Sequence, residues 1–200
     1  DRVGAIFDQQ TRRDSRVARR WCGDRAGAQR SGRWVTAAQP GVRVFVAGGS
    51  NVDPLANTRR AMLEMTRSWP DVRFSAVYRN RAVGFEGADF VNWVASLSTD
   101  WPLERLLQRL HEIEALCGRA RNAPKWAPRG MDLDVLLYGD LISSTPSRRL
   151  PRPDLLKRAY MLGPLAEIAP EVVHPTLGQT IGELWQQFDR AAHPLQRVEL

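Results

Sequence analysis

The sequence has few of the features that mark secreted, membrane or zinc-binding proteins. It contains two cysteines, Cys22 and Cys117, and neither belongs to a C-x-x-C pair. A disulfide framework is therefore not indicated, and its three histidines lack the spacing of zinc ligands. No apolar run is long enough to cross a membrane, and the first residues lack the apolar stretch of a signal peptide. These absences predict a cytoplasmic protein with reduced thiols and no membrane contact.

Common signatures of nucleotide binding are absent as well. The sequence has no G-x-x-x-x-G-K-[ST] motif, which excludes a P-loop enzyme, and no G-x-G-x-x-G follows a predicted strand. No Ser/His/Asp or Cys/His constellation can be argued from the sequence. Any phosphate chemistry must therefore come from another arrangement of residues.

Positive charge is concentrated at the start of the chain. The formal net charge is +7, and residues 1–40 contribute +5 of it through nine arginines and four aspartates. This segment shows no sustained period and is predicted to be a mostly disordered basic extension. A nucleic-acid-binding arm is the alternative, but its aromatic residues are not regularly interleaved as a stacking platform requires. The predicted organisation is an extension at 1–40, a domain at 41–190 and a C-terminal tail at 191–200.

Hydrophobic periodicity predicts an α+β fold. Strands are predicted at 42–47, 72–79, 90–97 and 131–138, and the glycines at 48 and 49 are expected to end the first strand. Helices are predicted from 53 to 70, from 102 to 118 and from 180 to 188, with a turn and short helix at 151–157. This order favours helices packed on a mainly antiparallel sheet.

An acidic pair lies on the predicted strand at 131–138. Asp132 and Asp134 are two residues apart, so their side chains project from the same face. Two neighbouring carboxylates repel each other, and Mg²⁺ accepts such oxygen ligands together with phosphate oxygens. The alternative is a solvated strand edge that binds nothing.

A cationic loop precedes this pair, and a second polar patch lies upstream. Arginine and lysine beside a metal pair suit a polyphosphate, whereas the alternative is a solvated surface. Trp126 within the loop would close over a flat ring or anchor the loop on the core. Upstream, Phe90 and Asn92 share one strand face and suit a planar heterocycle, although these residues alone favour a core Phe and a turn-capping Asn. The loop carries these residues: Arg119, Arg121, Lys125, Trp126 and Arg129.

These residues occur in an order that resembles the 6-hydroxymethyl-7,8-dihydropterin pyrophosphokinase family of folate biosynthesis. The resemblance runs from about residue 42 to 188 and implies a ferredoxin-like α+β sandwich. It also implies transfer of pyrophosphate from ATP to the pterin alcohol, with release of AMP. The matching blocks are Gly49-Ser50-Asn51, Tyr78-Arg79, Asp89-Phe90-Val91-Asn92, Gly118-Arg119, Arg129, Asp132-Leu133-Asp134 and Leu150-Pro151.

The resemblance also implies roles for single residues. A catalytic group would hold two Mg²⁺ ions and stabilise the transferring group: Asp132, Asp134, Arg119 and Arg129. An ATP site would be formed by Glu114, Arg119, Arg121, Lys125, Trp126, Arg129, Val135, Arg152 and Arg158. A pterin site would be formed by Asn80, Val83, Phe90, Asn92, Trp126 and Tyr160. We expect a monomer with no nucleic-acid partner.

Several positions depart from the pattern that is usual in the family, among them Gly130 in place of threonine. Arg152 stands between two prolines where the family commonly has histidine, and Lys125 replaces a frequent arginine. Arg152 could still reach a phosphate, whereas Lys125 cannot form a bidentate fork. Residues 80–82 replace a more rigid Thr-Pro-Pro, which leaves open a diverged paralogue that acts on another acceptor alcohol.

Overall fold

The structure is a computed structural model that describes residues 41–81, 88–118, 130–145 and 148–200. The predicted basic extension at 1–40 lies outside the described residues. The helices are α1 (Pro54–Ser68), α2 (Leu103–Leu116), α3 (Ala159–Ile168) and α4 (Ile181–Gln187). The strands are β1 (Val42–Ser50), β2 (Arg73–Phe74), β3 (Val77–Asn80), β4 (Phe90–Thr99), β5 (Asp132–Tyr138), β6 (Ser143–Thr145), β7 (Arg148–Leu150) and β8 (Gln196–Val198).

The centre of the fold is an antiparallel sheet with strand order β5-β1-β4-β3-β8, and β2 also pairs with β4. The β1-α1-β2/β3-β4-α2-β5 order with β1 and β4 in the middle is the ferredoxin-like arrangement. The predicted fold class is therefore confirmed. A separate hairpin is formed by β6 and β7.

Helices cover both faces of the sheet. Helices α1 and α2 pack on one face, where alternate side chains of β1, β4 and β5 form a core around Trp93. Helices α3 and α4 pack on the other face against Phe45, Val94 and Leu136. Because neighbouring residues of a strand point to opposite faces, each central strand contributes to both cores.

Strand β1 does not end at residue 47, as the glycines at 48 and 49 predicted, but continues to Ser50. The reason is close packing on both faces of the strand. A Cβ atom on Gly48 would overlap the ring of Trp93, and one on Gly49 would lie 2.8 Å from Asn92 Oδ1. The two glycines therefore make room for β4 side chains instead of forming a turn.

The last third of the chain differs most from the sequence prediction. Residues 151–157, all of them described, form turns and contain no helix, whereas α3 begins at Ala159. Pro164 inside α3 obscured the helix, because proline normally interrupts the hydrogen-bond pattern. Residues 191–200 were assigned to a tail, yet β8 adds a strand to β3 from within them. Within the described ranges, no helix is both long and apolar enough to span a membrane.

Candidate functional site

Asp132 and Asp134 project from the sheet face that α3 and α4 cover. Their neighbours Leu133 and Val135 are buried in the opposite core, under α1 and α2. Both aspartates are half-buried. Their α-carbons are about 7 Å apart at the usual rise of a strand. The side chain of Val135 therefore faces away from the acidic pair.

A row of facing residues connects the acidic pair to the predicted pterin residues. Asp132 lies opposite Gly49 on β1, and Gly49 lies opposite Asn92 on β4. Strands are spaced about 5 Å apart, so the backbones of Asp132 and Asn92 are separated by about 10 Å. Gly49 has no side chain, so the space between the Asp132 carboxylate and the Asn92 amide is not filled from β1.

The amide of Asn92 is held in place by a neighbouring strand. Asn92 is only 5% exposed, and its Nδ2 donates to Asn80 Oδ1 at 2.5 Å. The Asn80 Nδ2 donates in turn to the carbonyl of Arg81 at 2.8 Å. The resemblance placed Asn80 in the pterin site, and in the structure its side chain accepts the hydrogen bond that orients Asn92. Only the pairing of β3 with β4 makes this visible.

Glu114 supports the strand that carries the acidic pair. Its carboxylate is 4% exposed, and Oε1 accepts the Leu133 N–H at 2.8 Å. This N–H belongs to the residue between the two aspartates, so the last turn of α2 fixes the backbone of the site. A hydrogen bond from an N–H to a carboxylate is stronger than one between two neutral groups.

Ser50 connects the end of β1 to the segment before β5 by a hydrogen bond. Its hydroxyl lies 2.6 Å from the carbonyl of Gly130 and 3.1 Å from that of Val52. The contact joins the end of β1 to the segment that leads into Asp132. Sequence reasoning quoted Ser50 as part of a motif but gave it no role.

Arg152 lies directly on the acidic pair. Its Nη2 is 2.8 Å from Asp134 Oδ2, and its backbone N–H donates to the Leu136 carbonyl at 2.9 Å. The sequence predicted that this guanidinium reaches a phosphate of ATP. In the structure described here it neutralises a carboxylate of the proposed metal site.

A cavity of about 490 Å³ lies beside α3 and the open end of β3. Burial raises the pKa of Tyr160 at this cavity; Arg158 opposes the rise, and the Asp154 and Asp134 carboxylates add to it. Its wall carries four cations, one carboxylate and the rings of Tyr160 and His193, which suits an anionic ligand with a planar group. The charged residues are Arg79, Arg81, Lys157, Arg158 and Asp89.

Several residues of the predicted site lie outside the described residues. They are Val83, Arg119, Arg121, Lys125, Trp126 and Arg129. The described part of the site therefore consists of the acidic pair, Arg152, the two asparagines, and the residues around the basic cavity.

Comparison with known proteins identifies the fold family. The family model for 7,8-dihydro-6-hydroxymethylpterin-pyrophosphokinase matches residues 45–170, which include both aspartates and both asparagines. The chain belongs to this family. It is a pyrophosphokinase, and the resemblance that its sequence motifs indicated is confirmed.

Bacterial relatives of this pyrophosphokinase are similar along most of the chain. All three described here are named 2-amino-4-hydroxy-6-hydroxymethyldihydropteridine pyrophosphokinase. The Synechocystis protein is 37% identical over 147 residues, which cover 72% of this chain and 75% of that protein. The Aquifex aeolicus protein is 34% identical, and the match covers 70% of this chain and 88% of that protein. The Pseudomonas aeruginosa protein is 35% identical, and the match covers 78% of this chain and 95% of that protein.

Solved structures support the fold. The crystal structure of wild-type Plasmodium falciparum HPPK-DHPS with pteroate has a TM-score of 0.61 at 11% identity. It aligns over 81% of this chain and 49% of that chain. The structure of HPPK-DHPS in complex with substrates has a TM-score of 0.56 at 13% identity. It aligns over 76% of this chain and 44% of that chain. The pyrophosphokinase chain thus spans about half the length of these proteins, and the likeness concerns the fold alone.

Proposed function

We propose that this chain transfers a pyrophosphoryl group from ATP to 6-hydroxymethyl-7,8-dihydropterin and releases AMP, as a step of folate biosynthesis. Family membership carries the reaction type. The single structural observation that supports it is the half-buried pair of carboxylates, Asp132 and Asp134, on the sheet face that also carries Asn92.

The acidic pair fits two Mg²⁺ ions. Mg²⁺ is held by one or two carboxylates and completes its octahedron with phosphate and water oxygens, so a large protein cluster is not needed. Among the described residues, no group of three or more His, Cys, Asp or Glu could hold a metal ion. Bound Mg²⁺ would supply positive charge next to the phosphate oxygens of ATP.

The residues of the chain then position two substrates. The Asn92 amide, oriented by Asn80, is proposed to read the edge of the pterin, with Phe90 and Tyr160 against its ring. Its fixed position is supported by the 2.5 Å hydrogen bond to Asn80. The hydroxymethyl oxygen of the pterin attacks the β-phosphorus of ATP and loses its proton to solvent. The bond between the β-phosphorus and the oxygen that bridges it to the α-phosphorus breaks, and AMP leaves with that oxygen. Alignment of the two substrates accounts for much of the rate increase.

Cations are proposed to hold the triphosphate. Arg158 and Lys157 line the basic cavity, and Arg152 lies at the acidic pair. The resemblance assigns further phosphate contacts to the loop that lies outside the described residues. Arg119 and Arg129 would stabilise the transferring group by electrostatics. Arg121 and Lys125 would hold the triphosphate, and Trp126 would belong to a loop that closes over both ligands. Glu114 and Val135 would contribute to the ATP site.

The decisive test measures AMP released from ATP in the presence of the dihydropterin and Mg²⁺. We expect Asp132→Asn and Asp134→Asn to lower the rate by about 100-fold or more, because each removes a carboxylate from the metal site. Asp140→Asn is the matched control, since Asp140 is exposed in the turn after β5. Omission of Mg²⁺ should also stop AMP release. A normal rate in Asp132→Asn, or no AMP from the unchanged protein, would refute the proposal.

A second acceptor is tested in the same assay, because residues 80–82 depart from the usual family sequence. AMP release with another alcohol and none with the dihydropterin would identify a diverged paralogue. The proposed reaction predicts the opposite preference.

We further infer that residues 41–200 act as a monomer in the cytoplasm and that the basic extension at 1–40 is accessory. Cys117 is a buried free thiol, and free thiols are usual in the reducing cytoplasm. Deletion of residues 1–40 should leave AMP release unchanged. Loss of a salt-sensitive nucleic-acid affinity in that deletion would instead support a binding arm. Sedimentation of the full chain checks the monomer.

A further inference from the structure

Arg152 carries a permanent positive charge at the proposed metal site. Its Nη2 donates to Asp134 Oδ2 at 2.8 Å, with side-chain exposures of 33% for Arg152 and 24% for Asp134. A guanidinium carries a full positive charge and can donate two parallel hydrogen bonds to a carboxylate or a phosphate. It therefore occupies an oxygen that a divalent cation also needs, at a position where the family commonly has histidine.

The backbone keeps this guanidinium close to the acidic pair. The Arg152 N–H donates to the carbonyl of Leu136, two residues after Asp134 on β5. The side chain consequently starts beside the strand that carries its carboxylate partner. An arginine at this point can move between nearby oxygen anions while its own backbone stays fixed.

The guanidinium is incompletely satisfied where it lies. Its Nε is buried and has no hydrogen-bond partner within the described residues, and Asp154 Oδ2 is 4.0 Å away. A buried N–H without an acceptor is unfavourable. A phosphate group that accepted from Nε through one oxygen and from Nη2 through another would satisfy both donors, because guanidinium and phosphate form bidentate pairs. The arrangement thus favours exchange of Asp134 for a phosphate.

We propose that Arg152 competes with the divalent cation at Asp134 in the free enzyme and is drawn away when the triphosphate of ATP binds. This inference rests on the proposed function, since it takes Asp134 as a metal ligand and ATP as the substrate. Its consequence is coupling: the cation binds weakly to the free protein and tightly to the nucleotide complex. Thermodynamic linkage requires that the cation strengthen nucleotide binding by the same factor.

The size of the effect follows from the exposure of the pair. A partly exposed ion pair is screened, so its loss should change cation affinity by about fivefold and not by orders of magnitude. Nucleotide binding should remove most of this difference, because Arg152 then contacts phosphate in place of Asp134.

The probe is Mn²⁺, whose free concentration is read by electron paramagnetic resonance during titration of the full chain. Arg152→Met removes the charge but keeps an apolar stem, Arg152→Gln is a second removal, and Arg152→Lys keeps a charge. Arg67→Met is the matched control. Arg67 forms an exposed 2.6 Å ion pair with Glu64 on α1, which packs on the opposite face of the sheet.

Without nucleotide, we expect Arg152→Met and Arg152→Gln to bind Mn²⁺ about fivefold more tightly than the unchanged protein. Arg152→Lys and Arg67→Met should stay within twofold of it, roughly the experimental scatter. With α,β-methylene-ATP, and after correction for Mn²⁺ held by the nucleotide alone, the difference at Arg152 should disappear or reverse.

Two results would overturn the inference alone. Unchanged nucleotide-free affinity in both charge-removing variants would show that Arg152 does not compete with the cation. An equal gain with and without the nucleotide analogue would show that nucleotide does not release it. In both cases AMP release by the unchanged protein would still support the proposed function. Unaltered Mn²⁺ binding in Asp134→Asn would instead reject Asp134 as a ligand, and with it the inference.

Discussion

Substitution of Gly49 by alanine is the sharpest test of the geometry that links the acidic pair to the pterin residues. A Cβ atom at this position would lie 2.8 Å from Asn92 Oδ1, where ordinary contact begins at 3.4 Å. The amide must therefore move by about 0.6 Å, roughly the displacement that weakens a hydrogen bond appreciably. Because Asn80 holds the other end of this amide, the movement strains their hydrogen bond.

The loss can be estimated from that single hydrogen bond. A neutral hydrogen bond contributes about 1 kcal/mol net, which corresponds to about fivefold in a dissociation constant. We expect Gly49→Ala to raise the Kd of the dihydropterin by about that factor. The free energy of unfolding should change by less than about 1 kcal/mol, because alanine also restricts the unfolded chain.

Gly48→Ala is the matched control on the opposite face of the same strand. Its Cβ would overlap the ring of Trp93, which is fully buried. Overpacking of this kind destabilises a core by about 1–3 kcal/mol. The two variants should thus separate: Gly49→Ala loses affinity and keeps its stability, whereas Gly48→Ala loses stability.

Calorimetric titration with the dihydropterin and an unreactive ATP analogue gives the Kd, and urea unfolding gives the stability. The reasoning fails if Gly49→Ala binds the pterin normally. It also fails if Gly49→Ala loses as much stability as Gly48→Ala, because the effect would then reflect general packing and not the position of Asn92.

Three further predictions concern stability. Glu114→Ala should lower the free energy of unfolding by about 1–3 kcal/mol, because it leaves the Leu133 N–H buried without an acceptor. Urea unfolding measures this loss. Glu112→Ala, on the exposed face of the same helix, is the control and should change the free energy of unfolding little. Burial lowers the pKa of His174 from 6.5, so the unfolded state binds a proton more readily than the folded state. The free energy of unfolding should therefore fall as pH drops below about 6.5. His174→Asn should flatten this dependence of stability on pH, and an unchanged dependence would contradict the prediction. Thr180→Ala should cost about 1 kcal/mol in thermal unfolding by removing the capping box of α4, and equal stability would show that the cap is not needed.

The sequence by itself determined the class of fold and the position of the acidic pair. Alternation along β5 puts Asp132 and Asp134 on one face, because two successive peptide units turn a strand side chain back to the same side. The helical period likewise predicted α2, and the order of short motifs identified the family. These features are local, and they can be read within one segment without knowledge of its neighbours.

Only the tertiary structure decided which segments meet. The same glycines that signal a turn in the sequence allow β4 to approach β1 closely, so the local signal at Gly49 was misleading. The orientation of Asn92 by Asn80, and the contact of Arg152 with Asp134, join segments that no periodicity relates. Register and docking depend on packing between distant parts of the chain, and a one-residue slip would turn the side chains to the other face. For that reason the sequence located the carboxylates, while the fold determined the charge that lies against them.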